Sequence, residues 1–235
     1  MGGTTSASPI VDNGVVYIGS DDSNFYAFNA GTGANLWSRP FGAPIQVTAA
    51  AAGGQIFVPT SDGKIWSIGP NGGSGVGLNL STGGCSAPAV AYGLIFLSCA
   101  DNRLYAIKSS WYNTTSTPIA WYINDSGGTG SSPAVADGAV FVGTHGATLA
   151  LNATTGELLS GLLLLNSSSD AIESSPAVSD GVVYFGADDG YFYAFAMDPG
   201  PQAMQLGNKQ APSPKTLRPD LTLKPGKLST GNDGG

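Results

Sequence analysis

Four aspartates and the single histidine of this chain stand in one repeated register. Asp22, Asp62, Asp101, His145 and Asp189 each precede by five residues a small residue (Ala27, Ser67, Ala106, Ala150 and Ala194) that sits between apolar neighbours. Carboxylates gathered on a shared rim would bind a cation or a polar ligand, because hard cations take oxygen donors. Aspartate is also ordinary turn chemistry, since its side chain accepts hydrogen bonds from nearby backbone N–H groups. Asp62-Gly63 and Asp189-Gly190 read as turn pairs, and the turn reading is the one the residues favour. A histidine with no second His or Cys at ligand spacing is no metal motif. No catalytic, cofactor-binding or metal-binding residue is assigned from these positions, and their balance is against an enzyme.

Three further sets of residues bear on chemistry and location. Cys85 and Cys99 flank one hairpin. A three-residue turn at Ala91, Tyr92 and Gly93 sets them directly opposite, within disulfide reach, whereas a two-residue turn leaves them one step out of register. An even cysteine count in an exported chain favours the bond, with two buried thiols as the alternative. Asn-x-Ser/Thr sequons occur at Asn79, Asn113, Asn124, Asn152 and Asn166, all after the third strand of a repeat, where a glycan finds room on the outer perimeter. They point to a secreted glycoprotein, with the periplasm as the alternative location. The N-terminus Met1-Gly2-Gly3-Thr4-Thr5 has neither the basic start nor the apolar segment of a signal peptide. Trp37 and Trp66 occupy repeat positions and read as core, while Trp111 and Trp121 flank an insertion and read as a contact surface.

The elements that must position these residues come from a repeat. Hairpin glycines recur at Gly14, Gly54, Gly93, Gly138 and Gly181, and the small residues named above keep the same spacing within a residue. Asn13-Gly14, Asp137-Gly138 and Asp180-Gly181 are dipeptides suited to positive φ at both positions of a type I′ turn. Flanking runs such as Val15-Val16-Tyr17-Ile18 and Val182-Val183-Tyr184-Phe185 carry the β-branched and aromatic residues of strands. Each repeat therefore reads as four strands, A to D, with A innermost. Repeats of about 40 residues with four strands are the size of a propeller blade. They fall near 6–45, 46–84, 85–128, 129–171 and 172–198, and the fifth has no obvious outer strand. The expected fold class is all-β, a β-propeller of five repeats over residues 1–198, alone or as part of a larger ring.

Composition agrees. The chain has 35 glycines among 235 residues and only 11% charged residues, as many tight turns require. No run approaches the roughly 18 apolar residues of a membrane-spanning helix. Net charge is −7, and the tail 199–235 is Pro-, Gly- and Lys-rich and basic, so the propeller itself is strongly acidic. That field repels phosphate backbones and argues against nucleic acid. The tail reads as flexible unless docked on a partner. Partner sites are expected at the open edge of the fifth repeat, for another protein or a second copy, and along the basic tail.

The segment from Ala27 to Trp37, AFNAGTGANLW, resembles the signature A-x-D-x-x-T-G-x-x-x-W of PQQ-like propeller repeats, with Asn29 in place of the aspartate. A second copy runs from Ala150 to Ser160 and has serine at the tryptophan position. The resemblance implies a propeller of PQQ-like blades and spans quinoprotein dehydrogenases, an outer-membrane assembly lipoprotein and non-enzymatic propellers. Such dehydrogenases hold a quinone above calcium with acidic and amide ligands, and often a vicinal disulfide. This chain has no adjacent cysteines and only two glutamates, Glu157 and Glu173. No cofactor is expected, with PQQ and calcium implied only if the chain is part of a dehydrogenase. The leading expectation is a non-catalytic extracellular propeller serving as a binding or structural module. The alternatives are a fragment of a PQQ-dependent dehydrogenase and a periplasmic assembly-factor-like propeller.

Overall fold

The structure, a computed structural model, describes residues 2–113, 117–124, 131–144, 147–163, 172, 174–187 and 192–196. His145, Asp189, Asn166 and the tail 199–235 lie outside them. Blade 1 comprises β1 (Ile10–Asp12), β2 (Val15–Gly19), β3 (Asn24–Asn29) and β4 (Asn35–Pro40). Blade 2 comprises β5 (Ala50–Ala52), β6 (Gln55–Pro59), β7 (Lys64–Ile68) and β8 (Gly75–Asn79). Blade 3 comprises β9 (Ala89–Ala91), β10 (Leu94–Cys99), β11 (Arg103–Lys108) and β12 (Ile119–Asn124), with a 3-10 turn at Trp111–Asn113 in its insertion. Blade 4 comprises β13 (Ala134–Ala136), β14 (Ala139–Thr144), β15 (Ala147–Asn152) and β16 (Leu158–Leu163). Blade 5 comprises β17 (Ala177–Ser179), β18 (Val182–Gly186) and β19 (Phe192–Ala196).

Each blade is an antiparallel meander in chain order. All five A–B hairpins turn through two residues, both at positive φ: Asn13-Gly14, Gly53-Gly54, Tyr92-Gly93, Asp137-Gly138 and Asp180-Gly181. That twist matches the flanking strands. Tyr92, at φ 53, is an unusual residue for this conformation. Its hydroxyl accepts the N–H of Gly138 at 2.8 Å and so ties the blade 3 hairpin to that of blade 4.

The A strands of successive blades approach one another in chain order, from β1 to β5, β9, β13 and β17, and so form the inner wall of a β-propeller. Among the described residues no comparable approach joins β17 back to β1. The core is not inside the blades but between them, because successive side chains of a strand point to opposite faces. In blade 3, Phe96 and Ala106 pack toward blade 4, whereas Ile95, Leu97 and Tyr105 pack toward blade 2. Four clusters fill the four interfaces between neighbouring blades. A β-bulge follows the small residue of strand C in blades 1, 3 and 4. All ladder partners are local, so each blade is a unit that becomes stable only when stacked.

Candidate functional site

The B–C loops hold three of the recurring aspartates. The Asp22 carboxylate accepts the Tyr26 hydroxyl at 2.6 Å, the Gly2 N–H at 2.7 Å and the Asn24 N–H at 3.0 Å. Asp62 accepts the Thr60 hydroxyl at 2.6 Å and pairs with the Lys64 ammonium. Asp101 accepts the Tyr105 hydroxyl at 2.6 Å, with the Arg103 guanidinium 3.6 Å away. Each carboxylate is thus engaged chiefly by residues two or four positions away, as a loop brace would be. The Tyr26 hydrogen bond, helped by the two N–H groups, holds the Asp22 carboxyl well below the usual carboxylate range and raises the Tyr26 hydroxyl. Partial burial raises Asp62, but the Lys64 and Thr60 bonds outweigh it and leave that carboxyl lowered. Burial and then the bond to Asp101 raise Tyr105. Among the described residues no group of three His, Cys, Asp or Glu side chains is placed to hold a metal ion.

A different site lies where the blades converge. The segments that lead into the A strands of blades 1 to 4 surround an open cavity of about 390 Å³, whose polar lining is Ser6, Gln46, Thr48, Ser86 and Ser132. The rest of the lining is aliphatic, glycine or the half-cystine Cys85. Two of the lining hydroxyls, Thr48 and Ser132, hold the position six before the hairpin glycine; with Ser8 and Ser175 a hydroxyl stands there in four blades, and Ala87 takes it in the third. It stitches neighbours together: Thr48 Oγ1 accepts the Ser8 N–H at 3.3 Å, and Ser175 Oγ accepts the Ser132 N–H at 3.1 Å. One position earlier, the Ser86, Ser131 and Ser174 hydroxyls accept strand-B N–H groups of Ser98, Gly143 and Gly186. The site can donate and accept hydrogen bonds, but its side chains carry no ionisable group. Its signal in the sequence was the Ser-Pro lead-in to strand A, at Ser8-Pro9, Ser132-Pro133 and Ser175-Pro176, which reads from sequence only as a strand start.

Cys85 and Cys99 form a disulfide. The hairpin turns through two residues, which alone would leave the cysteines a step apart. Ala91 nevertheless faces Leu94 while Cys85 faces Cys99. The incoming segment therefore carries one extra residue, and that irregularity restores the pairing.

Trp111 and Trp121 are not a contact surface. Trp111 is 5% exposed and packs in the core between blades 2 and 3. Trp121 donates its Nε1–H to the Ala153 carbonyl at 3.1 Å and lies over Gly156, in the C–D turn of blade 4. Trp37 does the same to blade 2, donating to the Pro70 carbonyl at 3.0 Å and lying over Gly72. A side chain at either glycine would collide with the indole. The insertion before Trp121 shifts it in sequence but not in its blade position, which is why spacing missed it.

Asn79 and Asn124 end the fourth strands of blades 2 and 3 and are exposed, as is Asn113 in the 3-10 turn. Asn152 ends β15, and its side-chain oxygen accepts the N–H groups of Thr154 and Thr155.

A family model described as outer membrane protein assembly factor BamB matches residues 1–76 and 77–202. Among solved structures, BamB from Moraxella catarrhalis is similar with a TM-score of 0.65 at 20% identity, over 81% of this chain and 58% of that one. The computationally designed Ika8 protein aligns with a TM-score of 0.64 at 18% identity, over 80% and 57%. The quinohemoprotein alcohol dehydrogenase ADHIIG from Pseudomonas putida HK5 aligns with a TM-score of 0.66 at 16% identity, over 82% and 40%. At these identities the likeness is one of fold, and the chain spans less than two thirds of the length of each. No curated protein matches it.

Proposed function

The chain belongs to the family of the outer membrane protein assembly factor BamB, and from that premise we propose that it is a non-catalytic β-propeller that binds protein partners as a structural or assembly module outside the cytoplasm. The observation that carries this reading is the axial cavity. Its hydroxyls, amide and backbone groups form hydrogen bonds, but none of them titrates near neutral pH, as a general acid or base must. The disulfide fits a location outside the cytoplasm. At the far end of the molecule β19 pairs, among the described residues, with β18 alone, and such an edge accepts an extended segment by strand addition.

A quinoprotein activity is the competing reading, suggested by the repeat itself and by the likeness to ADHIIG. The described residues do not fit a calcium-bound quinone. The axial lining offers no carboxylate, and Asp22, Asp62 and Asp101 are committed to their own loops. Dye-linked dehydrogenase assays with added pyrroloquinoline quinone and calcium are expected to show no quinone-dependent turnover; turnover would overturn the proposal. The exposed sequons at Asn79, Asn113 and Asn124 support a secreted glycoprotein, whereas the family description supports an assembly factor of the outer membrane. Intact mass of the native protein, before and after deglycosylation, tests the first, and an unmodified mass removes the secreted-glycoprotein reading.

A further inference from the structure

The segments that lead into the A strands use some of their polar groups to hold the blades together and leave others without a partner. Thr48 Oγ1 accepts the Ser8 N–H, and Ser86 Oγ accepts the Ser98 N–H while donating to the Ala87 carbonyl at 3.3 Å. The Ser6 hydroxyl, the Gln46 amide and the Ser132 hydroxyl form no hydrogen bond among the described residues. These three come from blades 1, 2 and 4, and they meet at the axial cavity. Beside them the backbone of Gln46 and Val47 runs outside any strand, and its N–H and carbonyl groups have no backbone partner among the described residues.

The cavity is polar without being charged. Its volume of about 390 Å³ falls within the roughly 300–1,000 Å³ of small-ligand pockets, yet none of its lining side chains is ionisable. A charged ligand would leave water for a site with no counter-charge, at a large cost. The acidic propeller also repels anions at longer range. Hydroxyls and a primary amide both donate and accept hydrogen bonds, so they suit a neutral ligand whose own groups do both. Val47, Ala87 and the half-cystine Cys85 add an aliphatic patch. Cys85 is tied to the fully buried Cys99, which holds that side of the cavity in place. The lining residues stand on separate segments, so they do not form the continuous strand edge that an extended peptide pairs with.

We propose that the axial cavity binds a neutral N-acetylated sugar. The sugar hydroxyls pair with Ser6, Thr48 and Ser132, the acetamido group pairs with the Gln46 amide, and the acetyl methyl takes the aliphatic patch. All of these residues belong to blades 1 to 4, so the site does not depend on how the ring is completed. The proposal goes beyond partner binding, and its failure leaves that reading standing.

Heteronuclear NMR of the isotopically labelled full chain, titrated with N-acetylglucosamine and its β-linked dimer, tests it. Saturable shifts are expected at the backbone amides of Gln46, Val47, Gly84 and Ser86, with a Kd of about 1 mM, because the lining has no aromatic ring for a sugar to stack on. Gln46→Ala and Ser132→Ala should each weaken binding about fivefold, as the loss of one hydrogen bond does. Neither side chain bonds within the described residues, so both variants should fold, which circular dichroism checks; Gln46→Met replaces Gln46→Ala if it does not. Glucose, which lacks the acetamido group, should bind more weakly, and an uncharged capped trialanine should not bind. The absence of saturable shifts up to about 20 mM overturns the proposal. So do shifts that both variants leave unchanged, or glucose or the capped peptide binding as tightly as the N-acetylated sugar.

Discussion

Asp22 and Asp101 illustrate how a carboxylate that looks available for ligand chemistry is used as a brace. Each accepts a tyrosine hydroxyl from four residues on, Tyr26 or Tyr105, and so fixes the B–C loop to the start of strand C. Because the folded Asp22 carboxyl titrates below its unfolded value, its contribution is fully present above about pH 4. It fades as pH falls through the lowered folded value. Urea unfolding of Asp22→Asn between pH 7 and pH 3 is expected to show a loss of less than about 1 kcal/mol at neutral pH, since the site faces solvent. The variant should also lose less stability on acidification than the wild type. Gly19 makes the complementary point about space. A Cβ there would sit 2.2 Å from Ile45 Cγ2, so Gly19→Ala is expected to cost about 1–3 kcal/mol by overpacking, read from the same denaturation curves.

At the scale of elements, β4 and β12 do more than close their blades. Each projects a tryptophan onto the C–D turn of the next blade, where a glycine leaves room for the ring and a carbonyl takes its N–H. In blades 2 and 4 the residue paired with the small residue of strand C is Val76 or Ser160, so this clamp alternates along the arc. Trp37→Ala is expected to destabilise by about 2–3 kcal/mol, toward the low end of large-to-small changes because the ring is only partly buried. Trp37→Phe should recover much of that loss, since it keeps packing and gives up one hydrogen bond. The disulfide acts on the third A–B hairpin. Its cysteines are 14 residues apart, and Cys85→Ala/Cys99→Ala is expected to lose about 3 kcal/mol by the loop-entropy argument, measurable as a shift in urea midpoint.

For the whole molecule, stability follows position along the arc. Among the described residues blades 2 to 4 share two interfaces each and blades 1 and 5 share one, and interfaces between neighbours carry the stability of quasi-one-dimensional repeat proteins. Every residue of β10, in the central blade, is buried, while blade 5 lacks a fourth strand among the described residues. Native-state hydrogen exchange is therefore expected to show the strongest protection in β10 and β11 and the weakest in β18 and β19. Equal protection across all blades would mean that the ends are covered as fully as the middle.

The sequence by itself determined the blade. Glycine-closed hairpins, alternating β-branched and aromatic residues and a fixed interval to the small residue of strand C are local signals, and local signals specify antiparallel meanders. It also offered turn chemistry for the loop aspartates, and Asp22, Asp62 and Asp101 accept hydrogen bonds from residues two or four positions away. Tertiary structure decided everything that depends on which blade touches which. Pairing Cys85 with Cys99 needed a one-residue irregularity that turn length alone would not reveal. Trp121 changed from a candidate surface to a clamp because its partner glycine lies in another blade. The hydroxyl-lined cavity exists only where four lead-in segments converge, and no single segment encodes it. The burial of Phe25 has the same origin, since it is blade 2 lying over that face of blade 1 that makes it core.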